Sequence, residues 1–139
     1  MNNSLKTLLS LIFFFAISPL AVSEDSLSPA SVAGATTIDV TKAKELFDAE
    51  ALFIDTRKDS DWEAGRIPGA EHLDVKKTLT QESLAEVAAK DEPMVIYCNG
   101  KKCKRSAKAS AMAVEWGYQK VYYFRDGFPA WKTAGYPIE

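Results

Sequence analysis

Short apolar runs alternate with longer stretches of mixed apolar and polar residues along most of this sequence. Compact runs at residues 52–54, 94–97 and 121–124 have the length and the β-branched or aromatic content of buried strands. Residues 37–40 also have β character. A further short strand is predicted at 71–73, after a turn at 67–70 in which Pro68 fixes φ and Gly69 permits a positive φ.

Between these strands, the apolar residues recur at helical spacing. We predict helices at 41–48 with Thr41 as N-cap, at 80–89 with Thr80 as N-cap, at 104–116 ended by Gly117, and at 129–133. Residues 56–65 are charged, with Trp62 as their one large apolar side chain. The alternation of strands and helices predicts an α/β domain with a largely parallel sheet covered on both faces.

The predicted strand at 94–97 is followed directly by Cys98, a short loop and the start of a helix. Open α/β sheets bind their ligands at the carboxyl ends of strands, where backbone N–H groups at a helix N-terminus can hold an anion. Five of the 17 basic residues of the chain lie in or just after this loop: Lys101, Lys102, Lys104, Arg105 and Lys108. We therefore predict that the loop binds a small anion beside Cys98.

The net charge of the chain limits the kinds of molecule that the protein is expected to bind. The chain has 19 acidic and 17 basic residues, a net charge of −2, so the basic loop is a local feature of a mildly acidic protein. A nucleic-acid partner has no support from this balance. The loop charges have two interpretations: a solvated face, or a device that steers anions toward the cysteine.

Both cysteines, Cys98 and Cys103, lie in this one loop. A disulfide between them would close a very short segment and would restrict the unfolded chain little. A metal site is not predicted, because there is no second cysteine pair and the single His72 is far away in the sequence. This spacing in an electropositive loop favours chemistry over a structural staple. We predict that the loop lowers the pKa of the Cys98 thiol below the ~8.5 of a free cysteine.

The N-terminus carries a targeting pattern. A polar start with Lys6, an apolar stretch at 8–16 and small residues at Ala21 and Ser23 predict a signal peptide at 1–23, cut after Ser23. An uncleaved N-terminal anchor is the alternative. Residues 24–35 are rich in Ser, Ala and Pro and are predicted to be a flexible lead-in, followed by one domain at 36–139. We expect a periplasmic or secreted protein with no membrane attachment after cleavage.

Three groups of residues together resemble the rhodanese domain, the sulfurtransferase fold, over nearly all of 36–139. The first is Phe53-Ile54-Asp55-Thr56-Arg57 with Trp62 and Gly65-Arg66-Ile67-Pro68-Gly69-Ala70. The second is Val95-Ile96-Tyr97-Cys98, and the third is Gly127-Phe128-Pro129-Ala130-Trp131 with Gly135-Tyr136-Pro137. The resemblance implies a central, mostly parallel five-stranded sheet with helices on both faces.

The resemblance also implies a reaction. Cys98 is then the nucleophile that takes a sulfane sulfur from an anionic donor such as thiosulfate, forms a persulfide and passes the sulfur to cyanide or to a thiol, with a protein thiol among the expected acceptors. The predicted substrate-binding residues are Asn99, Gly100, Lys101, Lys102, Lys104 and Arg105. No cofactor or metal is expected, and the protein is expected to be a monomer. Cys103 is a resolving thiol, a partner in a regulatory disulfide or a spectator; its assignment as the primary nucleophile is a weaker alternative.

This sequence departs from the usual rhodanese pattern at the loop. Arg105-Ser106 lies seven and eight residues after Cys98, where rhodaneses have the pair at five and six, and the loop resembles a subgroup with a Cys-Asn-Gly-x-x-Cys arrangement. In this superfamily, longer loops are typical of phosphatases and arsenate reductases. A phosphatase would have an arginine six residues after the cysteine, where this chain has Lys104. Arg66 stands where rhodaneses commonly have histidine, at a position that we interpret as structural.

Three other functions therefore remain open: a thiol–disulfide redox protein using Cys98 and Cys103, a non-catalytic binding module, and a phosphatase or arsenate reductase. Asp55 and Arg57 are predicted to form a structural pair, and the three tryptophans to lie in the core or in a site wall. His72 is predicted to be a surface or turn residue, so no general base is assigned to the nucleophile.

Overall fold

Five parallel strands form one sheet in the computed structural model, which describes residues 26–139. The strands are β1 (Thr36–Thr37), β2 (Leu52–Asp55), β3 (Glu71–His72), β4 (Met94–Tyr97) and β5 (Val121–Phe124). Their order across the sheet is β1-β5-β4-β2-β3, and every neighbouring pair is parallel. The strand that leads to Cys98 is therefore the central one. The predicted signal peptide and residues 24 and 25 lie outside the described residues.

Alternation along the strands produces two apolar layers. Successive side chains of a strand point to opposite faces, so Val95 and Tyr97 of β4 enter one layer while Met94 and Ile96 enter the other. All four are fully buried, as expected for a central strand with both faces covered. The predicted α/β class and its five-stranded parallel sheet are confirmed.

Within residues 26–139, four helices lie between successive strands and a fifth follows β5: α1 (Val40–Asp48), α2 (Asp59–Ala64), α3 (Gln81–Val87), α4 (Arg105–Glu115) and α5 (Gly127–Thr133). Buried residues of α3 and α4, such as Leu84 and Ala109, lie in the layer of Met94. Ala43 of α1 and Trp131 of α5 lie in the layer of Val95. The helices therefore cover both faces of the sheet. No helix within residues 26–139 has the length and apolarity that crossing a membrane requires.

Two sequence predictions about helices need correction. Helix α1 is capped by Asp39, whose carboxylate accepts from the Lys42 N–H at 2.8 Å, and not by Thr41, which lies inside the helix. Helix α2 falls in the charged stretch to which the pattern assigned no helix. Its first turn carries Asp59 and Asp61, whose negative charge favours a helix N-terminus.

The tryptophan of α2 also explains the position of His72. The Trp62 ring stacks on the His72 ring at a centroid distance of 4.7 Å, and Nε2 of His72 lies 2.8 Å from the Arg57 carbonyl oxygen. His72 is part of β3, in agreement with the strand predicted at 71–73, and it is partly buried between α2 and the end of β2. The alternative of a turn position is wrong.

Ser28, in the predicted flexible segment 24–35, is hydrogen-bonded to the loop at 98–103 that carries both cysteines, named here the cysteine loop. The Ser28 backbone N–H and hydroxyl both donate to the carbonyl oxygen of Lys101, at 2.7 and 2.8 Å. Arg125 donates to the Ser28 carbonyl at 2.6 Å, and Ser28 itself is 2 % exposed. These contacts hold one side of the loop against the end of β5.

Candidate functional site

Cys98 lies at the carboxyl end of the central strand and is 1 % exposed. Its carbonyl oxygen accepts from the Phe128 N–H at 2.8 Å. A Cβ added to Gly127 would overlap this carbonyl, and Gly127 has a φ of +62°. The first turn of α5 therefore approaches the Cys98 backbone more closely than a residue with a side chain allows, and it fixes the position of Cys98.

The two cysteines are joined by a disulfide, with a Cα–Cα distance of 6.4 Å. The loop bends back through Gly100, which has a φ of +106°, and the Cys103 N–H donates to the Gly100 carbonyl at 2.9 Å. The loop geometry thus brings the two cysteines together. The disulfide shows that the two sulfurs reach each other, which both a resolving thiol and a partner in a regulatory disulfide require.

Helix α4 begins immediately after the disulfide loop. Its N-cap, Lys104, provides no side-chain cap, so the N–H groups of the first turn are not satisfied by a capping side chain. Ser106 in this turn is 1 % exposed, and its hydroxyl has no hydrogen-bond partner among the described residues. The sequence analysis did not select Ser106 as a site residue.

Asn99 and Arg105 are held by partners from other segments. The Asn99 side-chain amide donates to Asp61 at 2.8 Å, and its oxygen accepts from Arg57 at 3.4 Å. Arg105 Nη1 donates to the Asp74 carboxylate at 2.7 Å. Arg105, a predicted substrate-binding residue, is therefore paired with a carboxylate of the protein in this structure.

Asp74 and Asp61 are site residues that the sequence analysis missed. Asp74 follows β3, whose carboxyl end meets the same edge of the parallel sheet as Cys98, so its position after a predicted strand was a usable signal. Asp61 had no such signal, because it lies in the short helix that the pattern did not identify.

The predicted lysines separate to different sides of the loop. Lys101 Nζ lies 3.7 Å from the Asp126 carboxylate, toward the end of β5. Lys102 and Lys104 lie on the opposite side, in a cleft of about 420 Å³. The residues of this cleft, named here the Cys103 cleft, are Val75, Lys76, Lys102, Cys103, Lys104, Arg105 and Lys108.

A second cleft of about 420 Å³ adjoins Asn99 on the other side of the loop. It is lined by Arg57, Asp61, Ala64, Gly65, Asn99, Phe128, Pro129, Lys132 and Thr133. Cys98 lines neither cleft directly, in keeping with its burial. Among residues 26–139, no group of three or more His, Cys, Asp or Glu side chains could hold a metal ion.

The Asp74–Arg105 pair makes the site sensitive to acid. Burial alone raises the pKa of Asp74, but the Lys76 backbone N–H and the Arg105 guanidinium more than offset burial, so the pKa of Asp74 is lowered. A group whose pKa is lower in the folded than in the unfolded state stabilises the fold above its unfolded pKa. This contribution disappears as the pH falls through the folded value.

We expect Asp74→Asn to destabilise the protein by about 1–3 kcal/mol at neutral pH, because the variant loses a charge-assisted hydrogen bond. The difference from wild type should shrink as the pH falls through the carboxyl range, where wild-type Asp74 becomes protonated. Urea unfolding across this range measures the effect, with the exposed Asp59→Asn as the control. A difference that stays constant down to strongly acidic pH would contradict the assignment.

Comparison with known proteins agrees with this geometry. The family model described as "Rhodanese-like domain" matches residues 39–134. A thiosulfate sulfurtransferase GlpE from Pseudoalteromonas translucida is 32% identical over 102 residues, which cover 70% of this chain and 89% of the relative. The human single-domain sulfurtransferase TSTD1 superposes with a TM-score of 0.60 at 21% identity, covering 71% of this chain and 96% of that structure.

An HTH-type transcriptional regulator from Mycobacterium tuberculosis is also similar, with 30% identity over 117 residues. The match covers 82% of this chain but only 50% of the regulator, so the chain spans about half of that relative's length. The matched region indicates a domain common to both proteins and gives no information about transcription.

Proposed function

This chain belongs to the rhodanese-like domain family, and from this premise we propose that it is a sulfurtransferase in which Cys98 carries the sulfur as a persulfide. Relatives named as sulfurtransferases, at 32% and 34% identity, support this class of enzyme. The observation that carries the proposal is the position of Cys98, between the central strand and the uncapped N-terminus of α4.

The surroundings of Cys98 favour an anion on its sulfur. The N-terminal end of α4 has no side-chain cap and presents the positive end of the helix dipole. The buried Ser106 hydroxyl adds a donor in the same turn that is without a partner in the disulfide form. These groups stabilise a thiolate, which is the form of cysteine that attacks sulfur.

The proposed reaction begins with the reduced protein. The Cys98 thiolate attacks the sulfane sulfur of thiosulfate or a similar donor, the sulfur–sulfur bond of the donor breaks, and sulfite leaves with the bonding electron pair. The loop N–H groups hold the persulfide anion. A thiol or cyanide acceptor then attacks the outer sulfur and regenerates the Cys98 thiolate.

The disulfide makes this activity conditional. With its sulfur bonded to Cys103, Cys98 has no thiolate, and the structure therefore corresponds to an oxidised, inactive form. The proposal includes export, supported by the signal pattern at 1–23, and an oxidising compartment favours this disulfide. Turnover outside the cytosol then needs a reductant that opens the pair.

The test is the mass of the intact protein after exposure to thiosulfate. Wild type that has been reduced and freed of reductant should gain the mass of one sulfur atom, and a thiol should remove it. The same preparation left oxidised should gain nothing. Failure of the reduced protein to take up sulfur from thiosulfate and from other sulfane donors would overturn the proposal.

The disulfide also favours a second candidate, a thiol–disulfide redox protein on the same scaffold. This function needs no sulfane sulfur and predicts that the oxidised protein transfers its disulfide to a reduced protein substrate. The discriminating measurement is catalysed oxidation of a reduced, unfolded test protein. Oxidation at a catalytic rate without any sulfur uptake would favour the redox function.

A further inference from the structure

The Cys103 cleft has an unusual concentration of positive charge around a sulfur atom. Five of its seven residues are cationic, and no carboxylate belongs to the set that lines it. Arg105 is engaged by the buried Asp74, and Lys76, Lys102 and Lys108 add positive charge to the lining of the cleft. A cleft of this kind attracts a small anion and raises its local concentration.

The two cysteines of the disulfide differ in their access to solvent. Cys98 is 1 % exposed, behind the loop, whereas Cys103 is partly exposed and lines the cleft. Thiol–disulfide exchange requires an attacking thiolate to reach one sulfur while the other sulfur leaves. Access therefore directs the attack to Cys103 and makes Cys98 the leaving group.

The surroundings of the loop also favour the release of Cys98 as a thiolate. A sulfur that leaves as a stabilised thiolate leaves faster. The uncapped N-terminus of α4 is positioned to stabilise negative charge in the cysteine loop. The cleft and the helix thus favour the same direction of exchange, with attack at Cys103 and release of Cys98.

We propose that the Cys103 cleft is a binding site for a small anionic thiol, which reduces the Cys98–Cys103 disulfide by attacking Cys103. The thiolate of the ligand bonds to Cys103, the Cys98–Cys103 bond breaks, and Cys98 leaves with the electron pair as a thiolate. A second thiolate attacks the ligand sulfur of this mixed disulfide, which releases an oxidised ligand dimer and the Cys103 thiolate. Two thiols are oxidised and one protein disulfide is reduced. The inference deepens the proposed function, since it names what activates Cys98, and its biological meaning rests on that function.

The first test compares thiols of similar size and different charge. Thioglycolate is anionic, 2-mercaptoethanol is neutral and cysteamine is cationic. Each rate of reduction of the oxidised wild-type protein, followed by alkylation and intact mass, is divided by the rate of the same thiolate with a neutral small disulfide. At low ionic strength we expect the normalised rate of thioglycolate to exceed that of cysteamine by about tenfold or more. Added salt should reduce this ratio.

The second test changes the charge of the cleft. Lys102→Glu combined with Lys108→Glu should lower the normalised thioglycolate rate about tenfold and raise that of cysteamine. Lys120→Glu with Lys90→Glu makes the same change in net charge at lysines that line no part of the Cys103 cleft, and it should leave the ratio near that of wild type. Equal normalised rates for the three thiols, or equal effects of the two double variants, would overturn the proposal.

The third test locates the attack. Acid quenching during the reaction, alkylation and trypsin cleavage at Lys101 and Lys102 separate the two cysteines. The thioglycolate adduct is expected on Cys103 and the alkyl group on Cys98, and an adduct on Cys98 would contradict the direction of exchange. None of these assays contains a sulfur donor. Failure of the cleft to select thiols therefore remains distinguishable from failure of chemically reduced protein to take up sulfur.

Discussion

Cys98→Ser is expected to abolish sulfur uptake from thiosulfate, while Cys103→Ser retains it and no longer needs a reductant. The serine hydroxyl at position 98 forms no persulfide, so the loss should be at least about 100-fold in rate, down to background. Cys103→Ser leaves Cys98 without a disulfide partner and thus permanently available. The measurement is the intact mass after incubation with thiosulfate, with and without prior reduction.

The two variants are matched controls for each other. Both lose the same disulfide, and a loop this short contributes only about 2 kcal/mol by restricting the unfolded chain. Any effect of losing the bridge on stability or loop order should therefore appear in both. A sulfur that appears on Cys103 in the Cys98→Ser variant would instead make Cys103 the primary nucleophile. Uptake that is lost equally in both variants would require both thiols.

The strands that the sequence predicted most accurately are those whose own side chains are mostly buried. The strands β4 and β5 consist of consecutive apolar residues, and β2 has three such residues before Asp55. An apolar run of this kind predicts a strand without information from other segments. The sequence pattern did not indicate helix α2, because contacts with residues from other segments stabilise this helix. Its one large apolar side chain, Trp62, stacks on His72, a contact between residues that only the folded sheet brings together.

The same distinction applies to the site. The sequence predicted that Cys98 ends a strand and that a basic loop and a helix follow, because these features are local. It could not predict that Lys101 turns toward Asp126 while Lys102 faces the opposite cleft. These directions depend on the left-handed backbone at Gly100 and on carboxylates from distant segments. The disulfide was left open for the same reason, since a separation of five residues permits it without requiring it.

Arg57→Ala is expected to destabilise the protein by about 3–5 kcal/mol, because it leaves the fully buried Asp55 carboxylate without its cation. In the structure the two side chains are 3 % and 0 % exposed, and Arg57 Nη2 lies 2.7 Å from Asp55 Oδ2. Arg57 Nη2 also donates to the Gly65 carbonyl at 2.7 Å, and the guanidinium lies over the Phe128 ring at 4.4 Å from its centroid. The guanidinium therefore joins the end of β2 to α2 and α5, beside the cysteine loop.

Urea unfolding of Arg57→Ala, compared with Lys77→Ala, tests this expectation. The Lys77–Asp59 pair is exposed on both sides, so its loss should cost less than about 1 kcal/mol. The double variant Asp55→Val with Arg57→Met removes both charges. Because it leaves no buried charge without a partner, it should lose less stability than Arg57→Ala alone. A double variant less stable than the single one would mean that Asp55 stabilises this edge of the sheet mainly through contacts other than the guanidinium, such as the hydrogen bond that it accepts from the Arg57 backbone N–H at 3.0 Å. If only the pairing of charge is lost, sulfur uptake by the reduced, folded double variant should remain intact.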